Sequence, residues 1–144
     1  MAQSVLYAFM AALFFSFLFN VPKRSVLVTA TIAGIGYMVF SIFQGYTGAD
    51  FTGYFVGTFV MALLSEVAAR MMKLATTTFI TIAVIPLVPG LGLFETMQFV
   101  VLNEYTAAIQ TGTHAMLAAG AIAMAIAVNT LIMKFLLNMT GKIK

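Results

Sequence analysis

Five long apolar segments, separated by short polar stretches, dominate the hydrophobic pattern of this chain. They cover residues 4–20, 26–44, 52–69, 75–102 and 114–136. A helix needs about 20 apolar residues to cross roughly 30 Å of hydrocarbon, and every segment except the fourth has about the length of one such span. The pattern therefore predicts an all-α fold, a polytopic transmembrane helical bundle of about five spans, with residues 1–144 forming a single integral membrane domain.

The fourth segment is too long for one straight span and contains a helix-breaking sequence. As a straight helix it would measure about 42 Å at 1.5 Å per residue. Ile85-Pro86-Leu87-Val88-Pro89-Gly90 lies near its middle. Because proline removes a backbone donor and clashes with the preceding turn, we predict that the fourth span is discontinuous at Pro86–Gly90. Such breaks inside a bilayer need protein or water as hydrogen-bond partners, and transporters build substrate sites from them.

The composition places the chain in lipid and gives no sign of an enzyme. Hydrophobic residues make up 62% of the 144 residues and charged residues only 8%, whereas an average globular domain is roughly 25% charged. Cysteine is absent, which excludes disulfides and thiol metal sites. The sequence contains no nucleophile–base pair, no metal-ligand cluster and no phosphate loop, and the single histidine, His114, has no neighbouring ligands. We therefore expect no catalytic residue, no metal and no cofactor.

Basic residues mark one side of a five-span arrangement. All seven lie at or beyond the ends of the first, third and fifth segments: Lys23, Arg24, Arg70, Lys73, Lys134, Lys142 and Lys144. Since positive charge marks the cytoplasmic side, we predict that the N-terminus lies outside and the C-terminus in the cytoplasm. The net charge of +3 is thus explained by orientation and does not indicate a nucleic-acid partner. The opposite side receives two predicted loops, Gln44–Asp50 and Asn103–Thr113.

A second topology stays open for the fourth segment. It could form a re-entrant hairpin, followed by an interfacial helix over Glu95–Gln110, because neither arrangement leaves backbone groups unsatisfied. This alternative places the C-terminus outside, so reporter fusions at Lys144 distinguish the two.

Small residues at four-residue spacing predict close helix contacts, since lipid provides little hydrophobic drive for helix association. Three sets occur in the second, third and fifth segments: Ala30 with Gly34, Gly53 with Gly57, and Ala119 with Ala123 and Ala127. We interpret them as packing seams. The last set is also a candidate contact with another protein.

Two groups of polar residues need an explanation in so apolar a chain. Glu95 lies about 7 Å beyond the break at 1.5 Å per residue, and Thr96 is its neighbour. If buried, Glu95 would bind a substrate ammonium group or carry a coupling proton. If this segment runs closer to the surface, Glu95 is simply hydrated. Glu66 and Arg70, four residues apart, have the spacing of an ion pair, which is either structural or a cytoplasmic gate.

Two motifs give the chain a family resemblance. Phe19-Asn20-Val21-Pro22 precedes basic residues after the first segment, and Val84-Ile85-Pro86-Leu87-Val88-Pro89-Gly90 interrupts the fourth. With these motifs the chain resembles the threonine/serine exporter family, and is most similar to the small membrane subunit of its two-component (YjjB-like) members. The resemblance carries over Asn20, Pro22, Pro86, Pro89 and Gly90 as family-motif positions.

The resemblance implies export of small amino acids such as threonine and serine, or of dicarboxylates, across a bacterial plasma (inner) membrane, coupled to the proton gradient. It also implies a larger second membrane subunit with a soluble cytoplasmic region.

The broken fourth span suggests a mechanism of alternating access. Free N–H groups of a half-helix starting near Gly90 would face a substrate carboxylate, and carbonyls released near Ile85 would face its ammonium group or a water chain. Thr96 would read a substrate hydroxyl. Two alternatives remain: a scaffold subunit that never contacts substrate, and a self-assembled channel formed by a homo-oligomer.

Overall fold

The computed structural model describes residues 2–47 and 50–139. Every regular element in this part of the chain is helical, which confirms the predicted all-α class. The elements are α1 (Ala2–Leu18), α2 (Lys23–Thr47), α3 (Asp50–Met72), α4 (Thr76–Ala83), a single 3-10 turn (Ile85–Leu87), α5 (Gly90–Val101) and α6 (Tyr105–Met139).

The helix lengths fit a multi-pass membrane protein. Three stretches in the described residues are long and apolar enough to cross a membrane: Lys23–Tyr46, Phe51–Met72 and Tyr105–Leu136. A fourth candidate is the pair Thr76–Leu87 and Gly90–Val101, whose axes differ by 48° across the predicted break. The remaining apolar helix, α1, has 17 residues and falls short of full length. The described residues thus contain three or four candidate spans and the shorter α1, and the predicted number of about five spans is approximate.

The predicted loop over Asn103–Thr113 is wrong beyond its first residues. Helix α6 begins at Tyr105, so the connection between α5 and α6 is confined to 102–104. No proline interrupts the following residues, and the Thr113 hydroxyl donates to the Ile109 carbonyl at 2.7 Å within the helix. Ala108 is buried. The short turn also excludes the single interfacial helix over Glu95–Gln110.

Three helices end with the same backbone conformation. Asn20, Lys73 and Asn103 adopt positive φ angles of 52°, 53° and 61°. The residue after each donates its N–H to a carbonyl five positions back: Val21 to Ser16, Leu74 to Ala69, and Glu104 to Phe99. This is the Schellman motif, in which a left-handed residue stops the helix and satisfies its last carbonyls. It reverses the chain sharply after α1, α3 and α5.

The short turns fix the helix directions. Because α4 folds back along α3, and α6 folds back along α5, α6 runs in the same sense as α3 and packs against it. Helices α2, α3 and α4 share a core that includes Met61, Phe79 and Ala83.

The predicted seams in α2 and α3 are confirmed. A Cβ placed on Gly57 would lie 2.8 Å from the Phe40 Cβ and 3.0 Å from the Gly36 carbonyl oxygen, so only glycine permits this approach. A Cβ on Gly53 would lie 3.2 Å from the Phe40 carbonyl oxygen. Ala30 is fully buried.

The predicted seam in α6 is wrong for contacts within the chain. Its members lie on the exposed side of the helix: Ala119, Ala123 and Ala127. The buried alanines of α6 are Ala108, Ala115, Ala118, Ala121 and Ala125. Small residues occur on several faces of this helix, so spacing alone could not select the face that meets α3.

Candidate functional site

The helix break forms one wall of an open cleft of about 540 Å³, here called the break cleft. Helix α5 bends away from α4 at this point, and α2, α3 and α6 close the other sides. The lining residues are Pro86, Leu87, Val88, Pro89, Gly90, Leu91, Gly92 and Glu95 around the break, Tyr37, Phe40 and Tyr54 from α2 and α3, and Thr111, His114, Ala115 and Ala118 from α6. The predicted candidates Pro86, Pro89, Gly90 and Glu95 are thus brought together.

The backbone at the break uses its carbonyls locally and leaves donors at the start of α5. The Leu87 N–H donates to the Val84 carbonyl at 2.8 Å, and the Val88 N–H donates to the Ile85 carbonyl at 3.1 Å. The carbonyl of Ile85 is therefore already engaged in the 3-10 turn.

The next backbone bonds show which amides remain available. The Gly90 N–H donates to the Val88 carbonyl at 2.7 Å, and the Leu93 N–H to the Pro89 carbonyl at 3.2 Å. Between them, the N–H groups of Leu91 and Gly92 have no acceptor among the described residues. Both residues line the break cleft. Since the N-terminal amides of a helix attract anions, the cleft presents a place for a carboxylate.

Glu95 adds an acidic group to the same cleft, on the first turns of α5. Its side chain is half-buried. His114, which lies in α6, also lines the cleft, so the structure places an acid and an imidazole in one cavity.

Sequence reasoning missed His114, Tyr37, Tyr54 and Thr111. His114 was predicted to lie alone at the outer end of the fifth segment, whereas α6 begins at Tyr105 and places it within the helix, beside the break. The tyrosines lie far from the break in the sequence, and no local signal connects them to it.

Thr96 does not line the break cleft. Its hydroxyl donates to the Gly92 carbonyl at 2.6 Å. Its methyl carbon lies 3.1 Å from the position of a Cβ on Gly112, so the side chain packs against α6.

A second cleft, of about 330 Å³, lies at the opposite end of α4 and is here called the threonine cleft. Its lining residues are Phe19, Asn20, Val21, Pro22, Thr77, Thr78, Thr81 and Ile82. The two sequence motifs therefore meet the two ends of one short helix, with Asn20 and Pro22 at its start and Pro86–Gly90 after its end. The threonine run in an apolar segment was the available signal for this cleft, and sequence reasoning did not use it.

A comparison with protein families decides the class of this protein. The model described as Threonine/Serine exporter, ThrE, matches residues 4–132, which include both motifs and both clefts. The chain belongs to the threonine/serine exporter family. No curated protein and no solved structure matches it. Membership of an exporter family, together with the apolar helices, makes it a membrane transport protein.

The basic end of the protein lies beyond the threonine cleft. An Arg70 Nη atom lies 3.6 Å from a Glu66 Oε atom, with Glu66 19% and Arg70 46% exposed, so these residues form an ion pair. Arg24 donates to the Met72 carbonyl at 3.3 Å and links the start of α2 to the end of α3. The Glu66–Arg70 pair lies about 18 Å along α3 from Tyr54 in the break cleft, at 1.5 Å per residue.

The described residues of this family member form no metal site. Residues 2–47 and 50–139 contain no group of three or more His, Cys, Asp or Glu side chains arranged to hold a metal ion.

Proposed function

We propose that this chain is the membrane subunit of a proton-coupled secondary exporter of small amino acids, threonine and serine above all, or of dicarboxylates, and that the break cleft belongs to the substrate pathway. The observation that carries this proposal is the juxtaposition, in one cleft, of two unpaired N–H groups, at Leu91 and Gly92, with the Glu95 carboxylate. An amino-acid zwitterion has complementary charges.

The substrate carboxylate would bind at the start of α5. The N–H groups of Leu91 and Gly92 supply donors, and the helix dipole places partial positive charge at the same end. Glu95 lies one turn further on and would accept the substrate ammonium group, or take up the coupling proton when the substrate leaves. A dicarboxylate would need Glu95 protonated or His114 charged, so the zwitterion is the better fit to this cleft.

The threonine cleft supplies a second polar site on the same route. Among the described residues, the hydroxyls of Thr77, Thr78 and Thr81 have no hydrogen-bond partner. Thr29 and Thr31, by contrast, donate to carbonyls four positions back in their own helix. Hydroxyls without protein partners are available to a polar substrate. Helix α4 lies between the two clefts, so opening them alternately would give alternating access.

Orientation follows from charge. The positive-inside rule assigns the end with Lys23, Arg24, Arg70 and Lys73 to the cytoplasm, in a bacterial plasma (inner) membrane. The threonine cleft would then face the cytoplasm and the break cleft the outside. We also propose a larger membrane subunit with a soluble cytoplasmic region as partner.

A flux measurement tests this proposal. The protein is reconstituted into liposomes, alone and as the complex isolated from its native membrane, and export of radiolabelled threonine is measured with and without a proton gradient. The double variant Pro86→Ala, Pro89→Ala should straighten α4 into α5 and abolish export. Gly120→Ala is the matched control, because nothing lies within 4 Å of a Cβ at that position.

Each result of the flux measurement has a definite meaning. Export that persists in the double variant contradicts a substrate route at the break. Threonine flux that does not depend on the proton gradient indicates a channel. A chain that is needed only for assembly of the complex, with full flux from the partner, indicates a scaffold.

A further inference from the structure

Among the described residues, three buried side-chain atoms lack a hydrogen-bond partner: Thr58 Oγ1, Ser65 Oγ and Asn129 Oδ1. Thr58 and Ser65 are 0% exposed and Asn129 is 3% exposed. An unpaired polar atom in a dry interior destabilises the folded protein, because it has lost its hydrogen bonds to water. Three such atoms need a physical reason.

The chain elsewhere satisfies its buried hydroxyls within the helix. Ser16 donates to the Ala12 carbonyl at 2.7 Å, and Thr29 donates to the Ser25 carbonyl at 2.9 Å. Thr58 and Ser65 also lie inside an α-helix, with a carbonyl four residues back, and make no such bond. Their hydroxyls are therefore turned away from their own backbone.

Thr58, Ser65 and Asn129 lie further along two helices, α3 and α6, that each contribute to the break cleft. On α3, Tyr54 lines the cleft, Thr58 follows one turn later and Ser65 about two turns after that. On α6, which runs in the same sense, Ala118 lines the cleft. Ser65 and Asn129 each lie eleven residues beyond the cleft residue of their helix, about 16 Å at 1.5 Å per residue.

The packing places Asn129 against α3. Helix α6 packs on α5 and α3, and the contacts with α5 are in its first half, where Gly112 meets Thr96 and Ala115 meets Gly92. A buried side chain at position 129 is therefore covered by α3. Glu66 of the Glu66–Arg70 pair follows Ser65 directly in the sequence.

We infer that the α3–α6 interface holds a file of internal water molecules that runs from the break cleft past Thr58 to Ser65 and Asn129, and ends at the Glu66–Arg70 pair. Buried waters typically make about three hydrogen bonds to otherwise unsatisfied polar groups, and these neutral oxygens are suitable partners. A single bound cation fits less well, because Thr58 and Ser65 are about 10 Å apart along the helix.

The file gives the coupling proton a route, and this part of the inference rests on the proposed function. A proton that enters at the break cleft is passed from one water oxygen to the next and leaves beside Glu66. One proton moves through the membrane protein, and the three side chains end each cycle unchanged.

Cysteine accessibility tests the file directly, because the chain contains no cysteine of its own. Thr58→Cys and Ser65→Cys are made singly in the full chain, and their reaction with 2-aminoethyl methanethiosulfonate is followed in proteoliposomes. Ser16→Cys is the matched control, because Ser16 is equally buried and its hydroxyl is bonded within its helix. Thiolate formation requires water. The cysteines at positions 58 and 65 should therefore react about ten-fold faster than the Ser16→Cys control.

A second variant tests whether labelling at position 65 depends on bound water or only on local mobility of the helix. Asn129→Leu, added to Ser65→Cys, replaces a water partner by an apolar side chain and should lower the labelling rate towards that of Ser16→Cys. The inference would be overturned if Thr58→Cys and Ser65→Cys react as slowly as Ser16→Cys. It would also be overturned if Asn129→Leu leaves the labelling rate of Ser65→Cys unchanged.

The labelling test is independent of transport. Cysteines at positions 58 and 65 that react in a protein without threonine flux would preserve the water file and count against the proposed function alone. Normal proton-coupled threonine flux, together with unreactive cysteines at positions 58 and 65, would support the proposed function and contradict the water file.

Discussion

Thr96 of α5 packs against Gly112 of α6. The Thr96 Cγ2 atom lies 3.1 Å from the position that a Cβ on Gly112 would take, and the Thr96 hydroxyl is held by the Gly92 carbonyl at 2.6 Å. Helix α5 has no buried residue of its own. The position of the half-helix that carries Glu95 therefore depends on a small residue in the neighbouring helix.

Enlarging Gly112 should displace α5. Gly112→Val places a branched side chain against Thr96, and we expect a loss of about 1–3 kcal/mol in the free energy of unfolding, as in other overpacked contacts. Thermal unfolding in detergent measures the change. Gly120→Val on the same helix is the control, since nothing lies within 4 Å of its Cβ position. Equal stability of the two variants would show that the contact does not hold α5.

Gly57 should tolerate no side chain. In Gly57→Ala the new methyl would meet the Phe40 Cβ at 2.8 Å and the Gly36 carbonyl oxygen at 3.0 Å, and backbone cannot move aside cheaply. We expect destabilisation of about 1–3 kcal/mol. Gly45→Ala, also within a helix but with open space around it, should instead be neutral or stabilising by about 0.5–1 kcal/mol. Guanidinium or thermal titration of both variants checks the opposite signs.

Lys73 is a site at which glycine should improve stability. Its φ of 53° is costly for a side chain and free for glycine. Lys73→Gly should raise the free energy of unfolding by about 0.5–1 kcal/mol, whereas Lys73→Val should lower it by about 1–2 kcal/mol. Both variants remove the same charge, so their difference in melting temperature isolates the backbone effect. A more stable valine variant would contradict the left-handed helix end.

Glu95 should be needed for coupled export. Glu95→Gln keeps the size of the side chain and removes its charge and its proton, so we expect export of labelled threonine driven by the proton gradient to fall by about ten-fold or more. Glu104→Gln is the control, because Glu104 is exposed in the turn between α5 and α6. Unchanged export by the Glu95 variant would remove this carboxylate from the mechanism.

The sequence by itself determined the membrane class, the helix break and the family motifs. Long apolar segments cannot be hidden in so short a soluble chain, and the prolines at positions 86 and 89 interrupt a helix in any tertiary context. The positive φ of Asn20 likewise belongs to a local helix stop. These features depend on residues close in the chain, and for that reason composition and spacing were sufficient to find them.

Only the tertiary structure decided which side chains share a site. Tyr37, Tyr54 and His114 reach the break cleft because α2, α3 and α6 surround it, while Thr96, next to Glu95 in sequence, turns towards Gly112 instead. The side of α6 that is buried was also undecidable, because its alanines occur on several faces and helix rotation is set by α3. In lipid, the hydrophobic effect gives little preference for burying one apolar face of a helix over another. The buried face is instead selected by close packing between helices, which the sequence pattern does not encode.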